Sequence, residues 1–424
     1  MRQLGRHDLG GHGNCGEGIA VLERGGRRYL YLAHERGPAN FSVLDVTDPT
    51  APRLLTQTML PHRSVRSNSL AVSGELLVVA YQVDRPGERP AGIEVYDLSR
   101  PAEPRPVSFL DLSGPRSRGT HWVGFTVGTH AYLSTGTPDS RPTNPLDDQF
   151  PVIVDLARPD RPAEVGRWWL PGTQQGDGSP PPVRHEVFDA GFRAHNINVC
   201  AGRPDRAYVG YLDAGVVILD ISEAASPAMV SRLDYHPPMP GFTHTVLPLP
   251  PRNLLAISDE SVHDAAADYP KLVWFADASH ETSPLIISSA PMPPVAEFAR
   301  RGGRFGAHNL HENEPFAWSW QDEDVVLARS STPGCGPTTC ATRSSPPRWP
   351  PSCRRRRRAH ARARPRSTTS TWPPTASCTR WTAAAAGSTC CSSRARRERP
   401  EDAGGQDWRL RATTIPVRRI WPLP

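Results

Sequence analysis

Lysine is almost missing from this sequence. Lys271 is the only one, and every other basic residue is arginine, which reads as the codon usage of a G+C-rich gene rather than as a binding property. Long apolar runs are missing too. No stretch approaches the roughly 18 residues that a membrane-spanning helix needs, and Met1-Arg-Gln-Leu lacks the apolar core of a secretory leader. A cytoplasmic location with no membrane partner is the resulting expectation. Signatures with fixed chemistry are also lacking. There is no G-x-S-x-G, P-loop or H-E-x-x-H, so a hydrolase elbow, an NTPase site and a zincin are unsupported. Gly11-His-Gly13-Asn-Cys-Gly16 matches G-x-G-x-x-G only formally, because strand-like Gly18-Ile-Ala-Val-Leu22 follows where a dinucleotide site needs a helix.

The formal charge of +6 is unevenly placed. Between Arg329 and Arg399 lie 16 Arg, a single acidic residue, Glu398, and six of the eight cysteines. The remainder holds 33 basic against 42 acidic residues and only Cys15 and Cys200. The chain therefore divides into an acidic, thiol-poor part, 1–328, a basic segment, 329–399, and a tail, 400–424, that the sequence leaves unassigned. The basic total gives no reason to expect a nucleic-acid partner, since it comes from one anomalous segment.

A repeat organises the first part. Five segments share a β-branched or aromatic strand ending in Asp, a short polar turn, and a Pro seven residues after that Asp. They are Phe41-Ser-Val-Leu-Asp45 with Pro52, Ile93-Glu-Val-Tyr-Asp97 with Pro104, Val152-Ile-Val-Asp155 with Pro162, Val216-Val-Ile-Leu-Asp220 with Pro227, and Val273-Trp-Phe-Ala-Asp277 with Pro284. The aspartates lie 52 to 65 residues apart, enough for four strands. Short apolar runs precede each of them, as in Leu76-Leu-Val-Val-Ala80 and Ala207-Tyr-Val-Gly-Tyr211. Short β-rich runs punctuated by Gly, Pro, Asp and Asn are strands and turns. Four per unit, repeated at least five times, predicts an all-β propeller of four-stranded blades, five visible and a sixth begun. Each Asp is expected to cap its own turn, and each Pro to fix the backbone where the chain enters the outer strand.

Val152-Ile-Val-Asp155 and Val216-Val-Ile-Leu-Asp220-Ile-Ser resemble the LVIVD repeat. The resemblance extends over about residues 14 to 328 and implies a β-propeller. It implies no activity.

A ring of five blades and a fragment cannot bury its first blade against its last. A frameshift near Arg329 would account for the rest. Thr338-Thr339-Cys340 must be encoded ACN-ACN-TGY; shifted by two bases, these codons permit Tyr-Asp-Val, and Pro346 then permits Pro seven positions after that Asp. Thr368-Thr-Ser-Thr-Trp372 permits Asn-Asp-Val-Tyr-Val, the opening of a seventh unit. Seven blades are expected from the intact gene, with 329–399 disordered in the shifted frame.

Aligning the units on their Asp places a polar residue at the start of each first strand: Asn68, His121, His195, His244 and His308. First strands line a propeller's central channel, so four consecutive blades are expected to present imidazole to the axis. Imidazoles on rigid strands suit one Zn, Cu, Fe or Ni ion, with Asn68, Asn196, Glu260, Asn309 and Glu312 as partners that orient the rings. His311 is less suited, because i and i+3 on a strand face opposite ways. The leading expectation is a binding or protein-interaction scaffold with a polar axial funnel for an unknown protein or small molecule. The alternative is a metal-dependent enzyme, such as an oxidoreductase, built on the four histidines. No catalytic residue and no organic cofactor site is indicated.

Overall fold

The computed structural model describes residues 4–12, 15–125, 128–292, 294–312, 316, 319–331 and 414–416. The repeat sets its plan. In the first unit, strands Cys15–Arg24, Arg27–His34, Ala39–Asp45 and Arg53–Met59 pair antiparallel in sequence order. The same meander recurs over Thr120–Gly124 to Ala163–Arg167, Ile197–Cys200 to Ala228–Leu233, and Thr243–Leu249 to Leu285–Ser289. The second unit, Leu70–Ser73 to Arg105–Asp111, gains the short extra strand Val65–Arg66. A sixth sheet is formed by Gly306–Leu310, Val325–Ser331 and, from the far end of the chain, Thr414–Pro416, which pairs Val326 with Ile415.

The fold is thus an all-β propeller, as the repeat implied, and its turns are built as expected. Asp45 accepts the amide of Thr47 at 3.0 Å, Asp97 that of Ser99 at 2.7 Å, and Asp155 that of Ala157 at 2.9 Å. Asp220 and Asp277 do the same with Ser222 and Ser279. Each Asp then faces the residue just after the repeat Pro: Arg53, Arg105, Ala163, Ala228 and Leu285. Immediately before each of these aspartates the third-to-fourth strand register slips, a β-bulge that adds twist to the outer edge of the blade.

The core lies between blades. Tyr31, Phe41 and Val43 of the first sheet pack with Leu77, Val79 and Tyr81 of the second. Val78, Ile93 and Val95 of the second meet Leu133, Val152 and Val154 of the third. Similar layers join the third to the fourth, the fourth to the fifth and the fifth to the sixth. Central strands contribute both faces, so Leu76–Val83 reads as nearly unbroken apolar sequence rather than strict alternation. Burying each such side chain is worth about 1.5–3 kcal/mol. On the first sheet's remaining face, Leu9 covers Val21, Leu30, Leu32 and Leu44. Trp168 and Trp169 pack edge-on against Tyr211 and Phe150.

Lys271 is only 1% exposed. Its ammonium donates to the Gly241 carbonyl at 2.8 Å and stands 3.7 Å from Asp268. No helix among the described residues is long and apolar enough to cross a membrane. The six cysteines and the frame-shifted stretch expected beyond Arg329 lie outside the described residues, apart from the end of strand Val325–Ser331, and so does any seventh blade.

Candidate functional site

The innermost strands carry their polar residues on irregular backbone. In the third sheet Thr120 pairs with Thr135 and Trp122 with Ser134, so His121 sits in a bulge between them. His244 is bracketed likewise by Thr243 and Thr245, and His308 by Ala307 and Leu310. A bulge re-aims one side chain without disturbing its neighbours' alternation. Here it turns imidazole toward the axis while Trp122, Val246 and Leu310 stay in the core. His195, just before strand Ile197–Cys200, is held by its amide on Gly210 O at 2.7 Å.

The four histidines named from sequence form one arc. Ring centroids are 4.4 Å apart for His121 and His195, 3.8 Å for His195 and His244, and 4.7 Å for His244 and His308. Outward nitrogens are tied down. His121 Nδ1 lies 3.0 Å from Gln82 Oε1 and 3.2 Å from Arg66 Nη2, His195 Nδ1 lies 2.7 Å from Asn196 Oδ1, and His244 Nδ1 lies 2.7 Å from Thr245 Oγ1. His195, whose Nδ1–H donates to Asn196 Oδ1, keeps its Nε2 lone pair inward, and His121, which accepts Arg66 at Nδ1, donates its Nε2–H to that nitrogen at 2.9 Å.

Two carboxylates complete the cluster. Glu17 Oε1 is 3.5 Å from His244 Nε2 and 3.7 Å from His308 Nε2. Glu260 reaches the same two nitrogens at 3.9 and 3.6 Å. Sequence alone makes Glu260 a partner that orients rings from behind; its carboxylate instead stands among the Nε2 atoms, because strand Leu254–Asp259 ends at the axis beside the His244 bulge. Arg304 donates to Glu260 Oε1, the oxygen that also faces His308, at 3.0 Å. Of the remaining orienting candidates, Asn196 bridges His195 to Glu312, donating to Glu312 Oε1 at 3.3 Å. Asn68 acts through its backbone carbonyl, which accepts the amides of Glu17 and Gly18. The side-chain oxygens of Asn68 and Asn309 are buried without a hydrogen-bond partner. His311 faces away from the cluster's chemistry, accepting the Leu327 amide at 3.1 Å.

Glu17 does not emerge from the sequence pattern. It occupies in the first unit the position that Asn68 holds in the second, inside Cys15-Gly-Glu-Gly18. The flanking glycines were the available signal. A Cβ on Gly16 would lie 2.4 Å from Asn68 O, and one on Gly18 2.2 Å from Leu70 N, so only glycine lets this strand approach the second blade closely enough for Glu17 to reach the axis.

Electrostatics divide the cluster. Burial, reinforced by His195 and Arg66, holds His121 well below its usual range, and burial with the neighbouring His244 brings His195 down to about 3. Burial opposes charge on Glu17 and His244 as well, yet each outweighs it for the other: Glu17 is held well below the ordinary carboxylate range and His244 is raised. Glu312 is pushed up to about 7 by burial and by Glu17. Glu17 Oε2, His244 Nε2 and His308 Nε2 are buried with no hydrogen-bond partner. Such orphaned donors, facing one another, are the chemistry of a cation site. Three triads bring their donor atoms within 4.8 Å of one another: Glu17 with His244 and His308, Glu17 with His121 and His195, and Glu260 with His195 and His244.

Residues 205–234 match the model of the LVIVD repeat. No curated protein sequence matches the chain. Among solved structures, it is similar to the β-propeller domain of Cps50 (Swd1) from Myceliophteria thermophila, with 14% identity and a TM-score of 0.42 over 74% of this chain and 80% of that one. It is also similar to a luciferin-regenerating enzyme, with 11% identity and a TM-score of 0.34 over 57% of this chain and 68% of that one. The successive antiparallel sheets and the matched segment together make this chain a repeat β-propeller that carries an LVIVD repeat.

Proposed function

We propose that this propeller is a metalloprotein whose axial funnel ends on a transition-metal centre, where a small-molecule ligand binds. One observation carries the reading: imidazoles from four blades and the carboxylates of Glu17 and Glu260 form three overlapping triads of donor atoms, with Glu17 Oε2, His244 Nε2 and His308 Nε2 buried and left unpartnered. A buried polar cluster of this kind costs stability unless something satisfies it. The donors are nitrogen and oxygen without sulfur, which suits Zn or Fe in the divalent state better than Cu(I). Cys200, the buried thiol of the fourth sheet, is absent from the triads.

Elemental analysis of the full chain, expressed with Fe, Zn, Cu, Ni and Mn supplied and then dialysed, tests this. At least one equivalent of metal should remain bound, and His244→Ala should bind about one equivalent less than wild type. Metal-free wild type that takes up none of these ions on titration would end the proposal.

A further inference from the structure

We infer that the axial centre is dinuclear, with Glu17 bridging two ions; this rests on the metal reading above. Two of the three triads share Glu17 and no histidine, Glu17 with His121 and His195 on one side and Glu17 with His244 and His308 on the other, and the third, Glu260 with His195 and His244, joins them. Ions held by His or carboxylate at about 2.0–2.2 Å place neighbouring ligand atoms roughly 3.0–3.5 Å apart. His121 Nε2 and His195 Nε2 are 2.9 Å apart, and Glu17 Oε1 is 3.5 and 3.7 Å from His244 and His308. Each triad is therefore already near the size of a separate coordination sphere.

Glu17 has the atoms to serve both. Its Oε1 faces His244 and His308, its Oε2 is buried and unpartnered, and one of its oxygens also lies within 4.8 Å of the donor nitrogens of His121 and His195. Paired ions in such sites stand about 3.5–4 Å apart, a span that one carboxylate bridges through its two oxygens. Glu260 supplies a further oxygen on the His244 and His308 side. With three or four protein donors per ion, each keeps a position for substrate or water. The charge also fits. Four neutral imidazoles leave two divalent ions facing Glu17 and Glu260, with Glu312 behind His195 through Asn196, while the Glu35–Arg66 pair beside His121 adds no net charge and Arg304 on Glu260 adds a positive one. The remaining positive charge suits an anionic ligand lying across both ions.

Equilibrium dialysis of metal-free full-length protein against Zn(II), with metal counted by elemental analysis, should give two equivalents. His121→Ala and His308→Ala should each retain one, and Glu17→Gln should lose the second ion or weaken it at least tenfold. Mn(II)-loaded protein should show an exchange-coupled electron paramagnetic resonance spectrum that His121→Ala, retaining a single ion, converts to that of an isolated ion. Melting curves establish that each variant is folded. One equivalent in wild type, or uncoupled Mn(II), overturns the dinuclear centre and leaves the metalloprotein reading standing. No bound metal under any condition removes both.

Discussion

Glu17 and His244, from the first and fifth sheets, meet at 3.5 Å on the propeller axis, each held charged by the other. A metal ion that takes the Nε2 lone pair of His244 must first displace its proton. Metal uptake near neutral pH is therefore expected to release about one proton per His244 engaged, and affinity should rise with pH through the raised His244 range. Calorimetric titrations of the same ion in buffers of different ionisation enthalpy measure this. Identical heats in all buffers would mean that no proton leaves.

Acid should destabilise the metal-free protein for a different reason. His195 stays neutral in the fold down to about 3, and His34, buried against Ser42, down to about 4. In the unfolded chain each takes up a proton near pH 6.5. Depressed folded values mean that the unfolded state binds more protons, so stability falls as pH drops from about 6.5 toward 3. His244 works the other way, its contribution being present in acid and lost as pH rises through its folded value. Glu312, raised to about 7, and Asp259, raised to about 6, act in the same direction as His244, so the histidine effect is best read at His34, which lies outside the axial cluster. Denaturant melts at pH 7 and pH 4.5 should show His34→Gln losing less stability, or gaining more, than wild type on going to the lower pH, and the same change in both proteins would contradict it.

Asp45 tests the repeat turn. Burial opposes its charge, but the Thr47 amide and Arg53, 2.9 Å away, bring it down to about 2. Asp45→Ala removes both bonds and should cost about 2 kcal/mol. Asp45→Asn keeps an oxygen for the Thr47 amide and should recover part of that loss. A chemical denaturation series measures both, and an unaffected Asp45→Ala protein would show the turn to be held by something else.

Gly18→Ala should act on metal and stability together. The added Cβ would meet Leu70 N at 2.2 Å, forcing the first strand away from the second blade and drawing Glu17 off the axis. A lower melting temperature with reduced metal content is expected. Full metal content at a lowered melting temperature would separate Glu17 placement from this glycine.

Much of this was legible in the chain because the blade repeats its chemistry. The Asp-to-Pro interval marked strand ends, and alignment on Asp brought His121, His195, His244 and His308 to one position, which the fold turns into one arc. Alignment could not reveal Glu17, whose blade offers a carboxylate where others offer imidazole. Nor could it place Glu260, which follows the second strand of its blade and reaches the axis only because adjacent blades meet there. The bulges that aim His121 and His244 leave no mark in residue type. They are visible only as pairing.

The reading frame beyond Arg329 has a direct test. Resequencing the gene is expected to find a one- or two-base insertion or deletion near that codon, restoring a strand, Asp and Pro in the order of the other five units. An intact frame through the region would make the arginine-rich stretch genuine.

Lys271 gives the molecule an unusual reactivity profile. The chain's one side-chain amine is buried under Pro240 and Gly241, so amine-directed acylating reagents, cross-linkers and lysine acetylation have no other side-chain amine to address. Modification of that single amine becomes a clock for opening of the fifth blade, readable as one mass shift without any engineered label.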